Sequence, residues 1–141
     1  MIREAEISDL PEVIRMGREF AKSIGIPLDD ESTLDSAENL INTDFGVLLI
    51  GDGSMAGALA YPLFFNKNIL IAQELMWWVD KEKRSTGAGM EILEALEAWA
   101  RNVGAKQLSM LAIHDTSPDY VDSVYIKNGY KPFEKSFVKV L

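Results

Sequence analysis

The sequence contains no cysteine, which removes several kinds of chemistry at once. A disulfide framework, a thiolate metal site and a cysteine nucleophile are all excluded. The missing thiols fit a reducing compartment, and we expect a cytoplasmic protein that needs no metal ion.

Long apolar runs are also missing. No stretch reaches the roughly 18 apolar residues that a membrane-spanning helix needs. The first residues, 1–6, lack the apolar segment of a secretory signal peptide. We therefore expect neither secretion nor a membrane partner.

Positive charge is scarce, because the formal net charge is -8 and the isoelectric point is about 4.6. Proteins that coat nucleic acid usually present a basic face, and no basic cluster here is longer than 81–84. Nucleic acid is therefore not an expected partner. An acidic surface suits a cationic substrate such as an amine, although many soluble proteins are acidic without such a role.

What the sequence does contain is enough for one core. The chain has 141 residues, of which 48% are hydrophobic, so folding needs no disulfide or metal support. No linker-like segment, repeat or low-complexity tract interrupts it. We predict a single domain over 1–141.

The apolar periodicity predicts a mixed α/β order of elements. Ser8 is the expected cap of the first helix and Gly25 its end, and the Ser32–Asp35 pair resembles a capping box for the second. Tight turns are expected at 51–54 and 66–68, and Gly104 is placed to end the third helix. The predicted elements are strand 2–7, two helices within 8–41, strands 45–50, 55–64 and 69–79, a helix before 104, strand 107–113, helix 117–129 and strand 131–141.

A glycine turn joins strand 69–79 to the third helix. Its residues are Arg84-Ser85-Thr86-Gly87-Ala88-Gly89. The first turn of a helix presents N–H groups and a positive dipole end, and glycines let a phosphate approach that backbone. Arg84 can add a charged contact.

Two well-known phosphate-binding motifs do not fit this turn. A P-loop needs Lys-Ser or Lys-Thr after its second glycine, where Met90 and Glu91 stand here. A dinucleotide-binding fold needs a third glycine where Ile92 stands. On these residues alone, a helix that simply begins at a glycine turn is an equally good interpretation.

A family resemblance separates the alternatives. Arg84-x-x-Gly87-x-Gly89, five residues beyond Val79, resembles the acyl-CoA motif Q/R-x-x-G-x-G/A of the GNAT superfamily. The predicted element order resembles that superfamily over almost the whole chain, and 124–130 is similar to its "FYEKLGF" segment. The stretch 72–80 also looks like short stand-alone members carried by bacteriophages and bacteria.

The resemblance implies a fold. It is an α/β, mostly antiparallel sheet of six to seven strands with helices on both faces. Strands 69–79 and 107–113 would form a central parallel pair that splays apart at the C-terminal ends. The pantetheine arm of acetyl-CoA would enter this gap, and the pyrophosphate would meet the glycine turn. The cofactor-binding residues implied are Trp77, Trp78, Val79, Arg84, Ser85, Thr86, Gly87, Ala88, Gly89, Met90 and Ser123.

Glu74 is the candidate general base. Transfer to an amine needs the neutral form, which is only about one in a few thousand molecules at pH 7 for a lysine-type amine. Glu74 lies mid-strand on the element that would line the gap. A structural carboxylate, Gln73 in its place, or a chain of water molecules remain alternatives. Alternation sends Gln73 and Glu74 to opposite faces of the sheet, unless a β-bulge resets the register.

Tyr125 is the candidate general acid, because the family's tyrosine at this position reaches the sulfur of coenzyme A. A phenol protonating the leaving thiolate accounts for a rate gain of about tenfold. The alternative is a tyrosine that packs beneath the final strand. A backbone N–H near Trp77 or Trp78 would polarise the carbonyl.

Other residues have weaker claims. Alternation sends Trp77 and Trp78 to opposite faces, where core burial is the main alternative to a role at the acceptor pocket or at a subunit contact. His114 could assist proton transfer, but a structural or solvated histidine is the simpler interpretation. Lys81 and Lys83 could contact the phosphates of coenzyme A, but a solvated run of charges is the simpler interpretation. The expected function is N-acetylation of a small-molecule or peptide amine, with a catalytically silent acyl-CoA-binding module as the alternative. A homodimer is left open.

Overall fold

The computed structural model describes residues 1–113 and 120–141. Internal contacts divide them into two compact units, 1–111 and 112–141, and each is described by itself. The single domain over 1–141 stays a prediction. His114 and the expected helix cap at Ser117 and Pro118 lie outside the described residues.

The first unit holds a sheet of five strands in chain order. The first four strands pair antiparallel, and the fourth and fifth pair parallel, joined by the third helix. The strands are β1 Arg3–Glu4, β2 Gly46–Gly51, β3 Ser54–Leu63, β4 Asn66–Val79 and β5 Leu108–Ser109. The helices are α1 Leu10–Ile24, α2 Asp30–Asn42, α3 Ala88–Asn102 and, in the second unit, α4 Tyr120–Lys127.

Helices cover both faces of the sheet, as predicted. Val47 and Leu49 of β2 belong to one apolar cluster, which includes Ile92 and Leu96 of α3. Leu48 and Ile50 alternate with them and join a second cluster with side chains of α1 and α2. Period-two alternation in a single strand therefore contributes to a core on each side.

Glycines end the elements where the sequence predicted. Gly25 follows α1 with a φ of 71°, and Gly104 follows α3 with a φ of 89°. Asp52 and Gly53 form the β2–β3 turn inside the expected 51–54. The turn at 66–68 is wrong, because Phe64 and Phe65 connect β3 to β4, which begins at Asn66.

Two helix caps differ from the prediction. Asp29 caps α2, because its carboxylate accepts from the backbone N–H of Ser32 at 2.9 Å, so the Ser32–Asp35 capping box is wrong. Ser8 lies inside a 3-10 turn, Ile7–Asp9, rather than at the start of α1. Its first-turn proline, Pro11, is as expected.

The predicted count of six to seven strands is too high, because the described residues form five. Strand 2–7 shrinks to Arg3–Glu4, and 107–113 shrinks to Leu108–Ser109. Residues 131–141, which were also expected to form a strand, form none. The apolar Phe137 and Val138 of this segment are exposed.

Two further features concern the described residues only. None of their helices combines the length and apolar character needed to cross a membrane. No group of three or more acidic or histidine side chains there is arranged to hold a metal ion.

Candidate functional site

Strands β4 and β5 separate at their C-terminal ends. Their parallel pairing consists of Ala72 with Leu108 and Gln73 with Ser109, and it stops there. β4 continues for six residues to Val79. The splayed parallel pair that the resemblance implied is therefore present, although at the edge of the five-stranded sheet rather than at its centre.

Glu74 occupies the point where the strands part. In a continued ladder, the N–H of Leu111 would donate to the backbone carbonyl of Glu74. Instead it donates to the carboxylate oxygen Oε2 of the same residue at 2.7 Å. The side chain replaces a backbone acceptor, and the two strands are held apart at this position.

Burial changes the acidity of Glu74. The residue is 5% exposed. Desolvation raises the pKa of its carboxyl to about 7, although the hydrogen bond from Leu111 favours the ionised form. A carboxyl that titrates near neutral pH is suited to accept a proton from an amine.

A β-bulge at Leu75 sets the directions of the side chains beyond Glu74. Ala58 pairs with Glu74 and Gly57 with Met76, so Leu75 is an extra residue in β4. Gln73 and Glu74 precede the bulge and therefore face opposite sides, as alternation predicted.

The two tryptophans after the bulge enter different cores. Trp78 is buried in the cluster beneath α1 and α2. Trp77 packs against the cluster of α3. Their predicted opposite orientation is confirmed, and both contribute to core packing. Any contact with a ligand therefore falls to their backbone groups or to an exposed edge of a ring.

The backbone of β4 turns part of its polar groups towards the gap. The N–H of Asp80 donates to the carbonyl of Gly53 at 2.8 Å, so Asp80 and Trp78 direct their backbone groups to β3. By alternation, Trp77 and Val79 direct theirs to the opposite edge, where the pairing with β5 has already ended. This edge is where the resemblance expects the pantetheine arm.

The glycine turn follows directly. Gly87 is the N-cap of α3 with a φ of 93°, and no side chain caps the helix there. The N–H of Glu91 donates to the carbonyl of Gly87 at 3.0 Å. The first turn of α3 is the helix end that suits an anion. Thr86 donates its hydroxyl to the carbonyl of Lys83.

The backbone of the turn has room for a ligand. A Cβ atom added to Gly87 would meet no atom within 4 Å. A Cβ on Gly89 would lie at ordinary contact distance, 3.6 Å from the Trp77 ring and 3.7 Å from Val79. Ser85 has a φ of 68°, which bends the chain into the helix. The side of the turn at Gly87 is therefore open.

Arg84 is fixed at the start of the turn. Its Nε donates to the carbonyl of Val79 at 3.0 Å, and its guanidinium lies 5.1 Å from the centre of the Trp78 ring. Lys83 forms an ion pair with the exposed Asp52 at 2.6 Å. Of these two cations, Arg84 is therefore the one held against the β4 edge.

Two predicted residues belong to the second unit. Tyr125 is buried on α4, and its ring centre lies 5.6 Å from that of Tyr130. Ser123 is exposed, and its hydroxyl donates to the carbonyl of Tyr120 at 2.7 Å. The roles assigned to Tyr125 and Ser123 stay predictions.

Sequence reasoning missed Asp80. This buried carboxylate accepts hydrogen bonds from Trp78 Nε1 at 2.8 Å and from Arg15 Nη2 at 2.6 Å. Burial raises its pKa, but the hydrogen bonds from Arg15 and Trp78 and the charges of Arg15 and Arg84 outweigh this, so its pKa is lowered. An acid directly after an apolar strand was the available signal, but its partner Arg15 is 65 residues away.

Solved structures share this architecture at low sequence identity. A GNAT family acetyltransferase from Staphylococcus aureus has a TM-score of 0.74 at 18% identity, covering 100% of this chain and 98% of the other. An aminoglycoside acetyltransferase from an uncultured soil sample, solved with sisomicin, has a TM-score of 0.77 at 15% identity, covering 100% and 95%. A ribosomal-protein-alanine N-acetyltransferase from Brucella melitensis has a TM-score of 0.76 at 15% identity, covering 100% and 99%.

No protein-family model matches the chain, and no curated protein matches it in sequence. The fold therefore rests on structural similarity. The first unit is an α/β structure: helices cover a mostly antiparallel sheet, and its one parallel pair of strands separates beside a glycine turn. The chain has the GNAT fold, as the resemblance of its motifs predicted.

Proposed function

We propose that the chain is an N-acetyltransferase that transfers the acetyl group of acetyl-CoA to an amine of a small molecule or peptide. The observation that supports it most directly is one continuous arrangement in the first unit. The gap at Glu74, the backbone edge of Trp77 and Val79, and the amides from Gly87 follow one another along the chain. Their order matches the order of thioester, pantetheine and diphosphate in the co-substrate.

The diphosphate would bind the amides of the turn and the guanidinium of Arg84. Backbone amides at a helix N-terminus favour negative charge through both hydrogen bonds and the dipole. The open space above Gly87 admits phosphate oxygens without movement of the backbone. The resemblance implies main-chain contacts to the diphosphate between Ser85 and Met90.

Glu74 would accept the proton of the attacking amine. Its pKa of about 7 leaves roughly half of the carboxyl ionised at neutral pH. The amine then attacks the carbonyl carbon of the thioester, a backbone N–H of β4 stabilises the oxyanion, and the carbon–sulfur bond breaks. Tyr125 would give its proton to the leaving thiolate, as the family's tyrosine does.

The acceptor amine is proposed as a class only. The soil enzyme described above is named for aminoglycosides and the Brucella enzyme for a ribosomal-protein alanine, so one fold serves both small-molecule and peptide amines. The acidic net charge of this chain favours a cationic acceptor of either kind.

Ligand binding and turnover test the proposal separately. Coenzyme A at a hundred times its Kd should add about 2.7 kcal/mol to the free energy of unfolding and raise Tm by several degrees. Acetyl-CoA should then be consumed with at least one member of a panel of polyamines, aminoglycosides, amino acids and peptide N-termini. Binding without turnover would indicate a silent acyl-CoA-binding module, and the absence of both would overturn the proposed function.

A further inference from the structure

Asp80 connects three elements at the start of the glycine turn. Its two carboxylate oxygens accept from Trp78 Nε1 and from Arg15 of α1. Its N–H is bonded to the carbonyl of Gly53 in the β2–β3 turn, and its carbonyl accepts from Lys83 at 2.9 Å. The Asp80 side chain is 8% exposed and that of Arg15 is 45% exposed, so solvent reaches the ion pair from the arginine side only.

The β2–β3 turn is shaped around this carboxylate. A Cβ atom on Gly53 would lie 2.9 Å from Asp80 Oδ2, closer than real Cβ contacts allow. Gly53 also has a φ of 70°, which disfavours other residues. Asp80 is therefore held by main-chain bonds, by Trp78 and Arg15, and by the close approach of a glycine.

Arg84 contacts the tryptophan that Asp80 holds. The Arg84 guanidinium lies over the Trp78 ring, and Nε1 of that ring donates to Asp80. The Nε of Arg84 donates to the carbonyl of Val79. A cation over a tryptophan face is attracted to the ring and is oriented by it. The position of the Arg84 terminal nitrogens therefore depends on where the indole is held.

We infer that Asp80 is a positioning residue for the acyl-CoA turn, which acts by holding the Trp78 ring beneath Arg84 so that the guanidinium meets the diphosphate. The inference rests on the proposed function. Arg15 completes the connection from α1, because it neutralises the buried carboxylate that would otherwise be costly in the core. Asp80 itself touches no ligand in this arrangement.

A double-mutant comparison separates the effect of Asp80 on coenzyme A binding through Arg84 from a general role in folding. Asp80→Asn should weaken the binding of coenzyme A about tenfold in the presence of Arg84. In an Arg84→Met background the same change should have less than about a twofold effect, because the group being positioned is gone. S-acetylpantetheine, which has no diphosphate, should bind both forms equally.

Two further variants serve as a second test of the Asp80–Trp78 contact and as a control. Trp78→Phe keeps an aromatic ring beneath Arg84 but lacks the N–H that binds Asp80, and it should weaken coenzyme A binding in the same sense. Asp52→Asn removes the exposed ion pair between the β2–β3 turn and Lys83, and it should leave the affinity for coenzyme A unchanged. Tm and calorimetric Kd are measured for every variant, so a loss of folded protein is detected directly.

The outcomes distinguish two failures. Wild-type protein that does not bind coenzyme A overturns the proposed function together with this inference. Wild-type binding, combined with an Asp80→Asn effect that persists in Arg84→Met or extends equally to S-acetylpantetheine, overturns only the positioning role.

Discussion

At the scale of single residues, the most informative group is a buried carboxyl. Glu74 lies where β4 and β5 separate and accepts a hydrogen bond from the Leu111 backbone. Burial favours the neutral form of a carboxyl, and this effect on Glu74 exceeds that of the hydrogen bond. The same desolvation that raises its pKa therefore makes it a stronger base at neutral pH than a solvated glutamate.

Glu74→Gln should change the pH dependence of the reaction. With Glu74 present, kcat/KM should rise as the pH increases through about 7, because the base must be ionised. In the variant that step disappears, and activity should depend on deprotonation of the free amine at higher pH. The full pH–rate profile of both proteins is the measurement. Coincident profiles would remove Glu74 as the base and leave Gln73 or water.

The same substitution should change the pH dependence of stability. A carboxyl whose pKa is raised from 4.5 to about 7 on folding stabilises the fold below pH 4.5, where it is protonated in both states. That stabilisation, up to about 3 kcal/mol, is lost as the pH rises through 7. Urea unfolding from pH 5 to pH 8 should show this decline in wild type but not in Glu74→Gln. Equal slopes would mean that Glu74 titrates normally.

Tyr125→Phe should lower kcat by about tenfold while leaving the affinity for coenzyme A nearly unchanged. Removal of the hydroxyl eliminates the proton donor without removing the ring. Tyr130→Phe is the matched control, since its ring contacts Tyr125 and loses the same group. Steady-state kinetics with calorimetric binding separates the two quantities. An unchanged kcat in Tyr125→Phe would reject the general-acid role.

Sequence reasoning at this scale succeeded where chemistry depends on neighbours along the chain. The opposite faces of Gln73 and Glu74 follow from alternation, because the bulge at Leu75 lies beyond both. The hydrogen bonds of Asp80 were not predicted from the sequence, because its carboxylate meets Arg15 only after α1 packs against the sheet.

At the scale of elements, turns were more predictable than strand lengths. Gly25, Gly53 and Gly104 adopt positive φ where the sequence placed turns or helix ends, since glycine alone tolerates that region easily. The length of β5 was not predictable in the same way. Its apolar residues continue to Ile113, but pairing ends once Glu74 supplies the acceptor for Leu111.

The motif Arg84-x-x-Gly87-x-Gly89 gave the position of the candidate site, whereas spacing alone did not give its shape. The left-handed φ of Gly87 and the position of Gly89 beside the Trp77 ring depend on how α3 meets β4. Asp29 and Ser32 both carry a side-chain oxygen that could cap α2. Asp29 is the cap because the helix begins directly after it, and this starting point is decided by the path of the folded backbone.

Gly87→Trp should abolish coenzyme A binding while the chain remains folded. The added side chain would enter the open space above the turn, where the diphosphate is proposed to bind. Gly104→Trp is a matched control at the other end of α3, because Gly104 also has a positive φ and a Cβ there also meets no atom within 4 Å. Both variants should lose about 1–2 kcal/mol of stability from backbone strain.

Calorimetric titration and thermal unfolding of the Gly87 and Gly104 variants measure the two effects side by side. Loss of binding in Gly87→Trp alone assigns the phosphate site to the turn. Retained affinity in that variant, or equal loss in both, would contradict the assignment.

At the scale of the whole molecule, the predicted class of fold is confirmed and the predicted extent of the sheet is not. Alternation and helical periodicity are local and repeat many times, so they specify layers reliably. Strand pairing, in contrast, depends on contacts between residues that are distant in sequence. The apolar residues of 131–141 suggested a strand, but this segment forms none.

The net charge of -8 acts over the whole surface and should influence which amines reach the site. A negative field attracts a multiply charged acceptor more strongly than a singly charged one, and salt screens the attraction beyond about 8 Å at physiological ionic strength. For a polyamine substrate, kcat/KM should therefore fall about threefold to tenfold between low salt and 0.5 M salt. A monoamine measured under the same conditions is the control and should change less. Parallel salt dependence for both amines would mean that the surface charge serves solubility rather than recognition.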